Sequence, residues 1–77
     1  MTQTEARAFI TWFRNNHLPK GVDFVRTSSG RDILLDSLDD EDAIFVANQF
    51  EYMFDKASSP GLVLGRNQHL GNSLLTA

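Results

Sequence analysis

Two histidines and a run of four acidic residues are the side chains in this 77-residue sequence best suited to catalysis or metal binding. His17 and His69 lie far apart, cysteine is absent, and neither histidine belongs to an HxxxH or HxxE pattern. Such patterns place two metal ligands on one helix face. The five glycines are scattered singly, so no glycine-rich loop could cradle a phosphate. We therefore expect neither a metal site nor a cofactor.

The acidic run, residues 39–42, is a poor candidate for acid–base catalysis. That chemistry needs one carboxyl group with a raised pKa beside another that stays ionised, both held in a cleft. Four consecutive acids share one environment, so nothing separates their roles. The sequence also has no GxSxG motif, and neither histidine stands in a recognisable relation to a serine. The sequence predicts a protein that is not an enzyme.

The net charge of −3 conceals a strong segregation of charge along the chain. Residues 1–31 carry five Lys or Arg side chains against two acids, whereas residues 32–55 carry eight acids and no Lys or Arg. We call residues 32–55 the acidic block. A solvated helix usually mixes both signs, so charge blocks of this kind bear on partners and association.

The acidic block supports two interpretations. In the first, its acids only cap a helix and keep its surface solvated. In the second, they imitate a phosphate backbone and bind a basic groove of another protein. The acids assigned to such a partner site are Asp36, Asp39, Asp40, Glu41 and Asp42. Either way, the acidic helix would repel a nucleic-acid duplex, and direct nucleic-acid binding is not expected. A weak RNA or single-strand binder that uses the basic half is the third alternative.

A helix is predicted over residues 3–17. Thr2 and Glu5 form the capping-box pattern, and apolar residues recur at helical spacing up to His17. A hairpin should follow over residues 22–27 and 31–36, with two registers open. A three-residue loop with Gly30 in the left-handed conformation pairs Arg26 with Asp32; a two-residue loop pairs Thr27 with Asp32. We favour the first, because opposite charges facing across strands are stabilising.

A second helix is predicted over residues 39–57, capped by Ser37 or Asp39. It has one broad apolar side and a second, narrower stripe, which we call the α2 stripe; its members are Phe45, Gln49, Tyr52 and Lys56. One explanation is that one side of this helix meets the sheet and the other meets the first helix. The alternative is that the α2 stripe is a dimer or partner surface, as exposed apolar patches often are.

These elements indicate an α+β fold: a helix, a β-hairpin, a longer helix, a short third antiparallel strand at residues 62–64 and a C-terminal tail. Residues 1–64 would form the domain, and residues 65–77 a tail that packs on the body or on a partner chain. Both helices should pack on one face of the sheet. The expected centre of the core comprises Phe9, Phe13, Phe24 or Val25, Ile33, Leu35, Val46, Phe50 and Phe54.

The function expected from this sequence is that of a small regulatory protein that works through protein–protein contacts as a homodimer. The alternative is an acidic inhibitor, of the anti-restriction or anti-CRISPR type, that blocks a nucleic-acid-handling protein. No apolar run reaches the roughly 18 residues that cross a bilayer, and the N-terminus has no basic segment typical of a leader. We therefore expect a cytoplasmic protein that has no membrane contact.

Overall fold

The computed structural model describes residues 1–56, 61–68 and 71–75, with the backbone alone for residues 67–68 and 71–75. Its elements in chain order are α1 (Gln3–His17), β1 (Phe24–Arg26), β2 (Asp32–Leu34), α2 (Asp40–Lys56), β3 (Val63–Gln68) and β4 (Gly71–Leu75). The strands form one antiparallel sheet in the order β2-β1-β3-β4. The predicted α+β class, with two helices packed on a sheet, is confirmed. Ser58, Ser59 and Pro60 predict a turn after the second helix, and Leu70, Leu74 and Leu75 are the tail residues expected to pack on the body or on a partner chain. That turn, that packing and His69 lie outside this description.

Both helices begin at the caps expected from their sequences. In α1 the Thr2 hydroxyl accepts a hydrogen bond from the Glu5 backbone N–H at 3.2 Å, and the Glu5 carboxylate accepts one from the Thr2 N–H at 3.0 Å. In α2 the Asp39 carboxylate accepts from the Asp42 N–H at 2.8 Å. These bonds satisfy backbone donors that the first turn of a helix leaves unpaired.

The hairpin adopts the register that opposite charges favour. Arg26 pairs with Asp32 and Val25 with Ile33 across β1 and β2. Gly30 has a φ of +89°, and the Thr27 N–H donates to the Arg31 carbonyl at 2.8 Å to close the three-residue loop. Glycine reaches this left-handed conformation at little cost, which fixes the loop length and therefore the register.

The two helices lie side by side and run in the same direction. Near their starts, the Gln3 side-chain amide donates to the Asp40 carbonyl. Midway, the Phe13 and Phe50 rings stack with their centroids 4.8 Å apart. Near their ends, the His17 and Phe54 rings meet edge to face at 5.2 Å. The hairpin between the helices brings the chain back to the start of the first helix, so their N-termini lie together.

The core lies between the helix pair and one face of the sheet. It comprises Ala6, Ile10, Phe13, Val22, Val25, Ile33, Leu35, Ala43, Val46, Ala47, Phe50, Leu62 and Leu64. Two members of the predicted core are placed differently. Phe9 is only partly buried at the edge, and Phe54 is 49% exposed. Phe54 shares the angular position of the buried residues, but it lies in the last turn of α2, where it meets the exposed rings of Trp12 and His17.

Phe24 is buried on the other face of the sheet, away from the helices. It is 1% exposed but does not belong to the core cluster, because its neighbour Val25 points to the helices and strand side chains alternate. Its ring covers Gly65, its register partner on β3, so closely that a Cβ at position 65 would overlap three ring carbons. The glycine therefore provides the space that the Phe24 ring occupies.

The C-terminal part of the chain extends the sheet. The third strand, expected at residues 62–64, is present and runs on to Gln68, so the predicted boundary after residue 64 falls inside β3. Residues 71–75 pair with β3 as β4, and the expected tail is in this part a strand. The segment contains glycine, asparagine and serine and lacks apolar alternation. Backbone pairing across a hairpin does not need that alternation, which is why the strand was not predicted.

Candidate interaction surface

Most of the predicted acidic partner site is bound to arginine within the chain. Four acids of the acidic block each form an ion pair with an arginine from the first 31 residues. The pairs are Arg7 with Asp40 at 3.2 Å, Arg14 with Asp36 at 2.8 Å, Arg26 with Asp32 at 2.6 Å and Arg31 with Asp42 at 2.7 Å. Half of the eight acids in the acidic block are thus paired with arginines of the same chain.

Arg14 ties three parts of the fold together. Its guanidinium donates to the Val22 carbonyl at 3.1 Å, to Asp36 at 2.8 Å and to Asp23 at 3.5 Å. The Arg14 side chain is only 26% exposed, and a planar guanidinium presents several donors in a fixed geometry. The residue connects α1 to the residues that flank both strands of the hairpin, which is a structural role.

The remaining acids of the predicted partner site have different surroundings. Asp39 caps α2, as described above. Glu41 is exposed and makes no ion pair within the described part of the chain. Glu51 and Asp55, further along the same helix, are also exposed. Five predicted acids therefore reduce to one, Glu41, whose carboxylate is exposed and takes no part in the pairs or the cap.

The paired acids make stability depend on pH. Hydrogen bonds from Arg26 lower the pKa of the Asp32 carboxyl, and hydrogen bonds and charge attraction from Arg14 lower the pKa of Asp36. A carboxyl whose pKa is lower in the folded state stabilises the fold above its unfolded pKa of about 4 and loses that contribution as pH falls further. We expect the free energy of unfolding to be level near neutral pH and to fall below about pH 4.

Urea unfolding at a series of pH values tests this expectation. Asp32→Asn should reduce the loss of stability between about pH 4 and pH 2, because one of the titrating carboxyls is gone. Glu51→Gln removes an exposed carboxyl of α2 outside the ion pairs and should leave the profile unchanged. A profile that Asp32→Asn does not alter would contradict the assigned role of the Arg26–Asp32 pair.

The α2 stripe lies on the side of α2 turned away from the core. Phe45 is 39% exposed and Tyr52 47% exposed, Lys56 is exposed, and Gln49 is partly buried. Core residues Ala43, Val46, Ala47 and Phe50 occupy the other side of the helix. Neither of the two aromatic residues belongs to the core cluster of the described residues.

A cleft opens beside the stripe, between the hairpin loop and the first turns of α2. Its volume is about 480 Å³, and its lining includes Phe45, Glu41 and the hydroxyl-bearing residues Thr27, Ser28 and Ser29. The Arg31–Asp42 ion pair also borders it, and the Asp42 side chain is only 15% exposed. The cleft therefore combines one apolar ring with hydroxyl and carboxylate oxygens, a lining that suits an amphipathic side chain.

A second exposed apolar surface lies where the two helices end. The Trp12, His17 and Phe54 rings contact one another, with centroids 4.7 to 5.5 Å apart. Trp12 is 42% exposed, and His17, at which the predicted apolar pattern of α1 ends, is also exposed. We call these three residues the aromatic cluster. Sequence periodicity did not group them, because Trp12 lies off the apolar stripe of α1 and Phe54 was assigned to the core.

Within residues 1–56, 61–68 and 71–75, no group of three or more His, Asp or Glu side chains is placed to hold a metal ion. Neither helix in this part of the chain has the length and apolar character needed to cross a membrane.

No protein-family model matches the chain, no curated protein matches it, and no solved structure matches it. The candidate surface is therefore defined by its own geometry: an exposed stripe of two aromatic residues on α2, beside an open cleft.

Proposed function

We propose that this protein is a small, non-enzymatic interaction protein of the cytoplasm that works as a homodimer through the α2 stripe. The observation that carries the proposal is the exposure of Phe45 and Tyr52 on the side of α2 opposite the core. These two rings lie two helical turns apart on one line, so they form one surface. Paired exposed aromatics of this kind are typical of interfaces.

The chemistry of the stripe suits a protein partner. Phenylalanine and tyrosine bury large apolar areas at a small cost in side-chain entropy, and the tyrosine hydroxyl can still find a hydrogen-bond partner. A second chain would also add burial to a domain too small to form a large core. The proposal includes a regulatory role, because a dimer joined through the α2 stripe presents two copies of every surface outside that stripe.

The acidic-inhibitor alternative receives less support from the geometry. Asp36, Asp40 and Asp42 are bound by arginines of the same chain, and Asp39 caps its own helix. An external basic groove would have to displace these arginines or bind carboxylates that are already neutralised. The three exposed acids of α2 that form no ion pair among the described residues, Glu41, Glu51 and Asp55, make a smaller and less continuous acidic surface.

Light scattering coupled to size-exclusion chromatography tests the homodimer. We expect a dimer at tens of micromolar and a folded monomer when Phe45→Ser and Tyr52→Ser are combined. Truncating a central interface aromatic costs about 2 kcal/mol or more, which corresponds to about a 30-fold weaker dimer for each ring. Because both residues are exposed, circular dichroism should show an unchanged fold.

Phe54→Ser is the matched control, since it removes an exposed aromatic residue from the opposite side of the same helix. This variant should remain dimeric. A parent protein that is monomeric at these concentrations would refute the homodimer. A dimer abolished by Phe54→Ser and not by the double substitution would assign the interface to the aromatic cluster and refute the role of the α2 stripe.

A further inference from the structure

The α2 stripe has a symmetric order of side-chain types. Phe45 and Tyr52 lie equally far from the midpoint between Asn48 and Gln49, and so do Glu41 and Lys56. Along the helix the order is acid, aromatic, amide, aromatic, base. Reversing the direction of the helix exchanges the acid with the base and one aromatic residue with the other.

This inference rests on the proposed function and adds the geometry of the dimer. We propose that α2 packs against α2 of a second copy in antiparallel orientation, with the two-fold axis between Asn48 and Gln49. A two-fold contact uses the same surface on both copies, so every contact occurs twice. In this register Phe45 lies at the height of Tyr52 of the second copy, and Glu41 at the height of Lys56.

The charges select the second copy and its direction. Lys56 is the only basic residue of α2, and it lies at the end opposite Glu41. Both side chains are exposed and unpaired among the described residues, unlike the acids and arginines bound to one another within the fold. An antiparallel copy brings each Glu41 to a Lys56, whereas a parallel copy would place like charges together, which opposes association.

The cleft beside Phe45 gives the second copy's Tyr52 a place to bind. Its walls combine the Phe45 ring with the hydroxyl groups of Ser28 and Ser29 and the carboxylate of Glu41. A tyrosine entering the cleft would lay its ring against Phe45 and direct its hydroxyl toward these oxygens. The two-fold axis repeats the contact, so both Tyr52 side chains fill equivalent clefts.

Reciprocal charge reversal tests the antiparallel register. We expect Glu41→Lys alone and Lys56→Glu alone each to weaken the dimer at least about tenfold, because each change puts two pairs of like charges in the interface. The combined variant restores opposite charges, and its dissociation constant should return to within about threefold of the parent value. Lowering the ionic strength should enlarge the differences between variants.

Restored dimer affinity in the combined variant cannot come from an ion pair between positions 41 and 56 of the same chain. Fifteen residue steps separate Glu41 from Lys56, which is about 22 Å along a helix at 1.5 Å per residue. Sedimentation equilibrium supplies the dissociation constants. Circular dichroism checks that all variants remain folded.

Disulfide trapping provides an independent measurement, because the native chain has no cysteine. Under mild oxidation Gln49→Cys should form a covalent dimer, since position 49 lies beside the proposed two-fold axis and a disulfide requires close approach of the two chains. Thr4→Cys, at an exposed position on α1, is the control and should remain monomeric on a denaturing gel.

The outcomes separate this inference from the proposed function. A monomeric parent protein would remove both. A dimer that Phe45→Ser with Tyr52→Ser abolishes, but that the combined charge reversal leaves as weak as the single variants, would keep the α2 stripe as the interface and overturn the antiparallel register. Efficient trapping through Thr4→Cys and none through Gln49→Cys would overturn the register as well.

Discussion

Replacing Phe50 with alanine should lower the free energy of unfolding by about 3–5 kcal/mol, the range found when a fully buried phenylalanine is truncated. Phe50 is 0% exposed, and its ring stacks on Phe13 at the centre of the contact between the helices. The substitution would lose the favourable free energy of transferring the ring from water into the core, and it would leave a cavity between α1 and α2. A domain of 77 residues has a total stability of about 4–12 kcal/mol, so this one change removes much of it.

Urea unfolding followed by circular dichroism measures the effect, with Phe54→Ala as the matched control. Phe54 lies one helical turn further along α2, but it is 49% exposed, and its ring contacts the exposed rings of Trp12 and His17. Phe54→Ala should therefore lower the free energy of unfolding clearly less than Phe50→Ala does. Equal losses of stability at positions 50 and 54 would contradict a core that lies between α1 and the first three turns of α2.

Dimer formation complicates this comparison, because anything that binds only the folded chain adds to its apparent stability. Both substitutions are best measured in a background that carries Phe45→Ser and Tyr52→Ser, which should be monomeric. If the α2 stripe is the interface, the difference between Phe50→Ala and Phe54→Ala should be the same in both backgrounds, since neither residue lies on the stripe.

Local sequence rules predicted the elements whose causes are themselves local. The capping box of Thr2 and Glu5 predicts the start of α1 at the observed residue, and Pro19, which disfavours a helical backbone at Leu18, predicts its end. The hairpin register followed from the position of Gly30 and the facing charges of Arg26 and Asp32. Each of these features depends on residues fewer than about ten positions apart, where spacing along the chain determines contact.

The charge pattern shows what such rules leave open. Segregation of charge along a chain predicts action on partners, and in the structure Arg7 and Arg31 bind Asp40 and Asp42 at the start of α2. This proximity results from the parallel arrangement of the helices and from the hairpin between them. Neither is encoded in periodicity. Opposite charges that are remote in sequence can therefore hold one fold together instead of directing an encounter.

The α2 stripe shows a second limit of sequence-based prediction. Its helical spacing was visible in the sequence, but spacing alone could not distinguish a second core contact from an exposed surface. The structure places Phe45 and Tyr52 outside the core because α1 and the sheet both contact the same broad side of α2. Phe54 was misassigned for a related reason: a helical projection gives the direction of a side chain but not whether a neighbour reaches the last turn.

Replacing Gly65 with alanine should destabilise the protein by about 1–3 kcal/mol, the usual cost of forcing an extra carbon into a packed site. Without a steric conflict the sign would be opposite, since glycine within a strand is unfavourable relative to alanine by roughly 0.5–1 kcal/mol. Here the added Cβ overlaps the Phe24 ring, which is buried on the face of the sheet opposite the helices. Either the ring leaves its buried site or β1 and β3 move apart.

A double-mutant cycle identifies Phe24 as the cause. Phe24→Leu shortens the side chain over position 65, so Gly65→Ala should be much less costly in that background than in the parent protein, and the two effects should not add. Urea unfolding of the four proteins gives the coupling free energy. If Gly65→Ala raises stability in the parent, or costs the same in both backgrounds, then the Phe24 ring does not lie over Gly65, and the observed pairing of β1 with β3 would need a different register.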